Sequence, residues 1–100
     1  NYVSTKAAII GVTKHTAMRF AKENIRCNVI CPGSITTDMA AGLTADTMDM
    51  KMMGAMSAHS DLSLKPCSPE DVARVTLFLA SDDAAPITGQ VVVTDYGVDL

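Results

Sequence analysis

Five residues, Cys27-Asn28-Val29-Ile30-Cys31, form a mostly apolar run that Pro32-Gly33 cuts short. The run is too short for a helix and lacks polar alternation, so it reads as a buried parallel strand ending in a sharp turn. Helical patterns lie on both sides of it. From about Tyr2 to Glu23, Ala8, Val12, Thr16 and Phe20 recur as one apolar stripe with Ile9 and Ala17 beside it, while Lys14, Arg19 and Lys22 face water. Asn24 stands where that helix must stop, and asparagine tolerates the left-handed conformation that often ends a helix. A second helix begins at Ser68 as N-cap, with Pro69 in first position and Glu70 and Asp71 in the first turn, near the positive end of the helix dipole. It runs to about Ala80 and turns Val72, Val75, Thr76 and Leu79 to one face. Thr88-Gly89 then introduces a final strand, Val91-Val92-Val93-Thr94. Helix, strand, helix and strand in this order predict an α/β fold.

In open α/β sheets, ligands bind beyond the carboxyl ends of the strands, which places the loop Pro32 to Thr37 at a site. Gly33 would let the backbone approach a ligand closely, and the Ile35 backbone with the Thr37 hydroxyl would offer donors and acceptors to a group such as a carboxamide. A second candidate pair stands at the head of the first helix. Tyr2 and Lys6 are four residues apart and share a helix face. A free phenol titrates near about 10, and an adjacent cation favours its charged form, so the pair is a candidate proton-transfer device.

Taken together, these segments resemble the classical short-chain dehydrogenase/reductase family from end to end. The family's Tyr-x-x-x-Lys signature matches Tyr2 and Lys6, and its Asn-x-x-x-Pro-Gly-x-Ile-x-Thr segment matches Asn28, Pro32, Gly33, Ile35 and Thr37. Its later block is similar to Ser68 to Ala73, Phe78 to Ser81 and Ile87 to Gln90. The resemblance implies a Rossmann-type doubly wound parallel sheet, with residues 1–100 as the C-terminal part of a single NAD(P)-binding domain. It also implies reversible hydride transfer between NAD or NADP and a small alcohol or ketone. Tyr2 would donate a proton to the carbonyl oxygen, and Lys6 would lower the phenol pKa and hold the nicotinamide ribose. Tyr2, Lys6, Pro32, Gly33, Ile35 and Thr37 would bind the cofactor, Ile35 and Thr37 through the carboxamide, with Asn28 and Gly33 shaping the loop. In relatives a glycine-rich phosphate loop, a ribose selector, a catalytic serine and an active-site asparagine precede the tyrosine, and none is present here. This chain alone is therefore expected to be inactive. A homo-oligomer, tetramer or dimer, follows by analogy. A catalytically silent binding or structural subunit would retain the same motifs, and an extended-type epimerase or dehydratase would share Tyr-x-x-x-Lys. One departure from the family is Asp95-Tyr96-Gly97, where most relatives have Asp-Gly-Gly.

Composition narrows the remaining classes. A net charge of −3 without a Lys/Arg-rich run argues against nucleic acid as a partner, and no apolar stretch approaches the roughly 20 residues of a membrane span. Cys27 and Cys31 share a strand, where four residues separate them by about 13 Å, too far for a disulfide. With Cys67 the number is odd, so reduced thiols in a cytoplasmic protein are expected. His15 and His59 lack a paired ligand at helical spacing and read as surface or packing residues. Residues from about Asp38 to Pro66 hold six of the seven methionines, and Thr44 would cap a helix from Ala45 to Met56. Methionine is flexible and polarizable, which suits an adaptable apolar wall or a moving lid, with a loosely packed surface helix or an oligomer contact as the alternative; the resemblance implies the substrate-binding segment.

Overall fold

The structure, a computed structural model, describes residues 1–37 and 50–99. The chain folds as two compact units, Asn1–Cys31 with Ala73–Val93 and Pro32–Val72 with Thr94–Leu100. Four helices and strands carry the first expectations: α1 (Tyr2–Phe20), β1 (Val29–Pro32), α3 (Pro69–Ala80) and β2 (Val91–Thr94), with α2 (Met50–Ser57) between β1 and α3.

Helix α1 closes through a 3-10 turn, Ala21–Glu23, onto Asn24 in the left-handed conformation (φ 58°, ψ 32°), whose N–H donates to the Ala21 carbonyl. The face that packs is not the expected one. Thr13 and Ala17 are buried and Ile10, Thr16 and Phe20 half-buried, whereas Val12 and Ile9 are exposed. Several apolar residues surround this helix, and packing selects the stripe through Ile10, Thr13, Ala17 and Phe20. Gly89 fixes one of the contacts. Its φ of 71° is a conformation that side chains rarely adopt, and a Cβ there would sit 3.4 Å from that of Ala17.

The two strands pair in one sheet. The Val29 N–H donates to Gln90 O at 2.9 Å and the Gly33 N–H to Thr94 O at 3.0 Å, so both partners advance by four in the same direction and the pairing is parallel. The strand begins two residues later than the apolar run. The Asn28 side chain takes the place of the missing backbone pairing: its amide donates to Ile87 O at 2.9 Å and its carbonyl oxygen accepts the Gln90 N–H at 3.0 Å. Asn28 therefore shapes the entrance of β1 rather than the loop at its end. Val29, Ile30 and Cys31 are half-buried, not fully buried as a central strand would be.

Helix α3 starts as its sequence requires. The Asp71 N–H donates to Ser68 Oγ at 3.1 Å, and the Ser68 N–H donates back to Asp71 Oδ2 at 2.9 Å, a reciprocal capping box. Val72, Val75 and Leu79 share the half-buried face, and Thr76 is exposed beside them. At its other end, Arg26 donates to the carbonyls of Leu79 (2.7 Å), Ser81 (3.2 Å) and Ile87 (3.3 Å), bringing positive charge to the helix C-terminus. Helix α2 covers the second half of the span expected from Thr44, and the expected cap and residues 45–49 lie outside the described residues. Among the described residues, no helix is long and apolar enough to cross a membrane.

Candidate active site

In the first unit, the first turn of α1 brings Tyr2 and Lys6 together. The Thr5 N–H donates to Asn1 O at 3.0 Å and its hydroxyl donates to the same oxygen at 2.8 Å, which fixes the start of the helix. The Lys6 ammonium lies 5.6 Å from the centre of the Tyr2 ring, within the range of cation–π attraction. Tyr2 is 73% exposed, so the phenol is accessible to a reacting group.

The other four expected residues, Pro32, Gly33, Ile35 and Thr37, lie in the second unit. Pro32 closes β1, and the chain beyond it is held by Cys67, which is 2% exposed. The Thr36 N–H donates to Cys67 O at 3.0 Å, and the Cys67 N–H donates to Ser34 O at 2.9 Å. This is a parallel bridge centred on Ile35. In such a bridge the central residue's own N–H and C=O point away from the partner. Ile35 thus turns one donor and one acceptor outward, the complement of a carboxamide, which carries an N–H donor and a C=O acceptor. Thr37, exposed two residues on, adds a hydroxyl. The residues present therefore fit the amide end of a nicotinamide.

A Cβ on Gly33 would lie 2.8 Å from Asp95 Cβ and 3.3 Å from Asp95 Cα, so the close approach of Asp95 by itself requires glycine here. Thr94 O accepts both the Gly33 N–H and the Cys67 thiol, the latter at 2.9 Å, so the end of β2 supports the loop. The Thr94 hydroxyl itself is buried without a partner. Cys67 and Asp95 had no signal as loop supports, since only the fold brings residues 67 and 95 to residues 33–36.

The departure at Tyr96 is also resolved. Tyr96 adopts φ 57°, and its hydroxyl donates to Asp71 Oδ2 at 2.9 Å while the Lys65 ammonium lies 4.2 Å above its ring. Hydrogen bonding to Tyr96 and its partial negative charge raise the Lys65 pKa. The Ser68 N–H, followed by the Tyr96 hydroxyl, holds the Asp71 carboxyl below the usual aspartate range. All three cysteines are free thiols.

Residues 1–99 match a family model described as enoyl-(acyl carrier protein) reductase. The short-chain dehydrogenase/reductase cdmF of Talaromyces verruculosus is 39% identical over 100 residues, covering 94% of this chain and 39% of that protein. The 3-oxoacyl-[acyl-carrier-protein] reductase FabG of Thermotoga maritima is 40% identical over 99 residues, covering 98% of this chain and 37% of that protein. The chain thus spans about two fifths of the length of these curated relatives. Among solved structures, a 3-oxoacyl-[acyl-carrier protein] reductase from Brucella melitensis superposes with a TM-score of 0.78 at 33% identity, over 99% of this chain and 35% of that one. A 4-hydroxyisoleucine dehydrogenase complexed with NADH and succinate gives a TM-score of 0.72 at 36% identity, over 96% of this chain and 36% of that one.

Proposed function

The chain belongs to the short-chain dehydrogenase/reductase family, with its Rossmann-type α/β fold, and on that premise we propose that the full-length protein is an oxidoreductase acting with NAD or NADP on a small alcohol or ketone. The observation that carries this reading is the Tyr2–Lys6 pair, an accessible phenol with an ammonium beside it on one helix face. Solved relatives in complex with NADH and with NAD support the cofactor class.

A bound nicotinamide would supply or accept the hydride. The Tyr2 hydroxyl gives its proton to the carbonyl oxygen as reduction proceeds and takes it back in oxidation. Lys6 places positive charge beside the phenol as the proton leaves and binds ribose hydroxyls. The Ile35 N–H and C=O and the Thr37 hydroxyl would hold the carboxamide and so orient the ring toward the substrate. Pro32 and Gly33 set the path of the loop. Met50, Met52 and Met53, all exposed on α2, form an adaptable apolar wall for the substrate.

The apolar side chains left exposed on α1 and α3, Val12, Met18, Leu77 and Phe78, support a homo-oligomer. The free thiols support a reducing compartment, the cytoplasm. The test is turnover of the full-length protein against a panel of ketones, followed through the absorbance of the reduced nicotinamide. Tyr2→Phe is expected to lower kcat by about a hundredfold or more, the usual scale of general acid–base catalysis. Near-normal turnover by that variant would remove Tyr2 from the chemistry.

A further inference from the structure

The residues that follow β2 fold into a compact turn organised by one carboxylate. Asp95 Oδ1 accepts the Gly97 N–H at 2.9 Å, Asp95 Oδ2 accepts the Asp99 N–H at 3.1 Å, and the Asp95 carbonyl accepts the Val98 N–H at 3.2 Å. Three bonds to one residue close residues 95–99 into a rigid hook. The hook touches two segments, both within the second unit. Its first residue meets the loop, since Asp95 packs so closely on Gly33 that a Cβ could not be accommodated, and Thr94 just before it accepts the Gly33 N–H. Its last residues meet the stretch that follows α2: Val98 O accepts the Asp61 N–H at 2.9 Å, and Asp99 Oδ1 accepts the Ser60 hydroxyl. Ser60 lies three residues beyond the end of α2 at Ser57.

We propose that Asp95 is a positioning residue for both binding segments, holding the cofactor loop at Gly33 and the base of the methionine helix at Ser60 and Asp61 through a single hook. Both of its carboxylate oxygens accept from backbone N–H groups inside the hook. It acts by keeping Val98 and Asp99 where they can accept from Asp61 and Ser60 while its own Cβ stays against Gly33. A disturbance of the hook is therefore transmitted to both segments. A disturbance at Ser60 reaches only one.

This inference rests on the oxidoreductase reading for its kinetic arm and stands apart from it in its exchange arm. In the full-length protein, Asp95→Gly, which removes both the carboxylate and the Cβ that meets Gly33, is expected to raise KM for the cofactor and KM for the carbonyl substrate together, each roughly threefold or more, the lower range of one lost net hydrogen bond. The value of kcat is expected to change less than about twofold, since no group that moves a proton is altered. Asp95→Asn, which keeps the Cβ and one acceptor, should fall between Asp95→Gly and wild type. Ser60→Ala should raise KM for the substrate alone. Amide hydrogen exchange on the same proteins should show Gly33 and Asp61 accelerated together in Asp95→Gly and Asp61 alone in Ser60→Ala. Exchange unchanged at either amide in Asp95→Gly, or a fall in kcat at constant KM, overturns the coupling. A wild type that turns over no carbonyl substrate defeats the functional reading, and the exchange result still decides the role of Asp95.

Discussion

Tyr96 holds a left-handed backbone that costs a side-chain-bearing residue about 1 kcal/mol or more, and it is kept there by what its side chain reaches. The ring lies under Lys65 and the hydroxyl meets Asp71, so the strain is offset by contacts that glycine would not make. The sequence marked this position as odd but could not show the remedy, because Asp71 is 25 residues upstream. The same carboxylate yields a pH prediction. Its folded pKa lies below the ordinary 3.8, so its contribution is complete above that value and is lost as pH falls through the lower folded value. The stability difference between wild type and Asp71→Asn, measured by denaturant titration across the acid range, should be constant near neutrality and vanish at low pH. A difference that persists into strong acid would assign it to packing. At the loop, Thr37→Val removes a hydroxyl and should weaken cofactor binding by about 1 kcal/mol, one net hydrogen bond, with unchanged thermal stability. Equal affinity by calorimetric titration would take Thr37 out of the site. Spacing and resemblance single out Tyr2, Lys6, Ile35 and Thr37 as candidates, whereas the orientation of the Ile35 amide comes from the fold. That orientation depends on Cys67, a residue whose sequence neighbourhood gives no hint of a bridge.

Elements with explicit punctuation were the most legible. The start of α3 could be read because Ser68, Pro69 and Asp71 each satisfy a requirement of a helix N-terminus, and both capping bonds are present. Removing the cap with Ser68→Ala should destabilise the protein by about 1 kcal/mol. Thermal melts showing no loss would mean that Asp71 and Tyr96 hold the end without it. Asn24 likewise ended α1 as its chemistry allows. The packed face of α1 was harder to read. Periodicity identifies a helix, but Ile9, Ile10, Val12 and Met18 leave more than one apolar direction, and tertiary packing, the approach of Gly89 to Ala17 included, selects among them. The start of β1 shifted for a different reason. A side-chain amide can imitate a peptide group, and Asn28 does so against Ile87 and Gln90 in a way no strand propensity describes.

At the scale of the whole chain, the balance between buried and exposed apolar surface is unusual. Among the described residues the buried apolar ones are Ala17, Cys67 and Ala84, while Val3, Val12, Met18, Met50, Leu77 and Phe78 are among the large apolar side chains left exposed. Among the described residues each strand of the sheet has a neighbouring strand on one side, and the other edge presents backbone donors and acceptors. The 100-residue chain studied alone should therefore self-associate. It should also bind NADH and NADPH weakly, since its sequence has no glycine-rich turn to receive the pyrophosphate. Light scattering and calorimetric titration check the two halves, and a monodisperse monomer with micromolar affinity would contradict both. The composition that leaves this surface uncovered also makes the chain optically simple. It contains no tryptophan and two tyrosines, so the phenol band of its ultraviolet emission comes from Tyr2 and Tyr96. A phenol becomes a much stronger acid when excited, and a carboxylate already hydrogen-bonded to it takes the proton and quenches the light. Tyr96 on Asp71 is consequently expected to be quenched while the two remain joined, and its brightening would signal that the turn after β2 has let go.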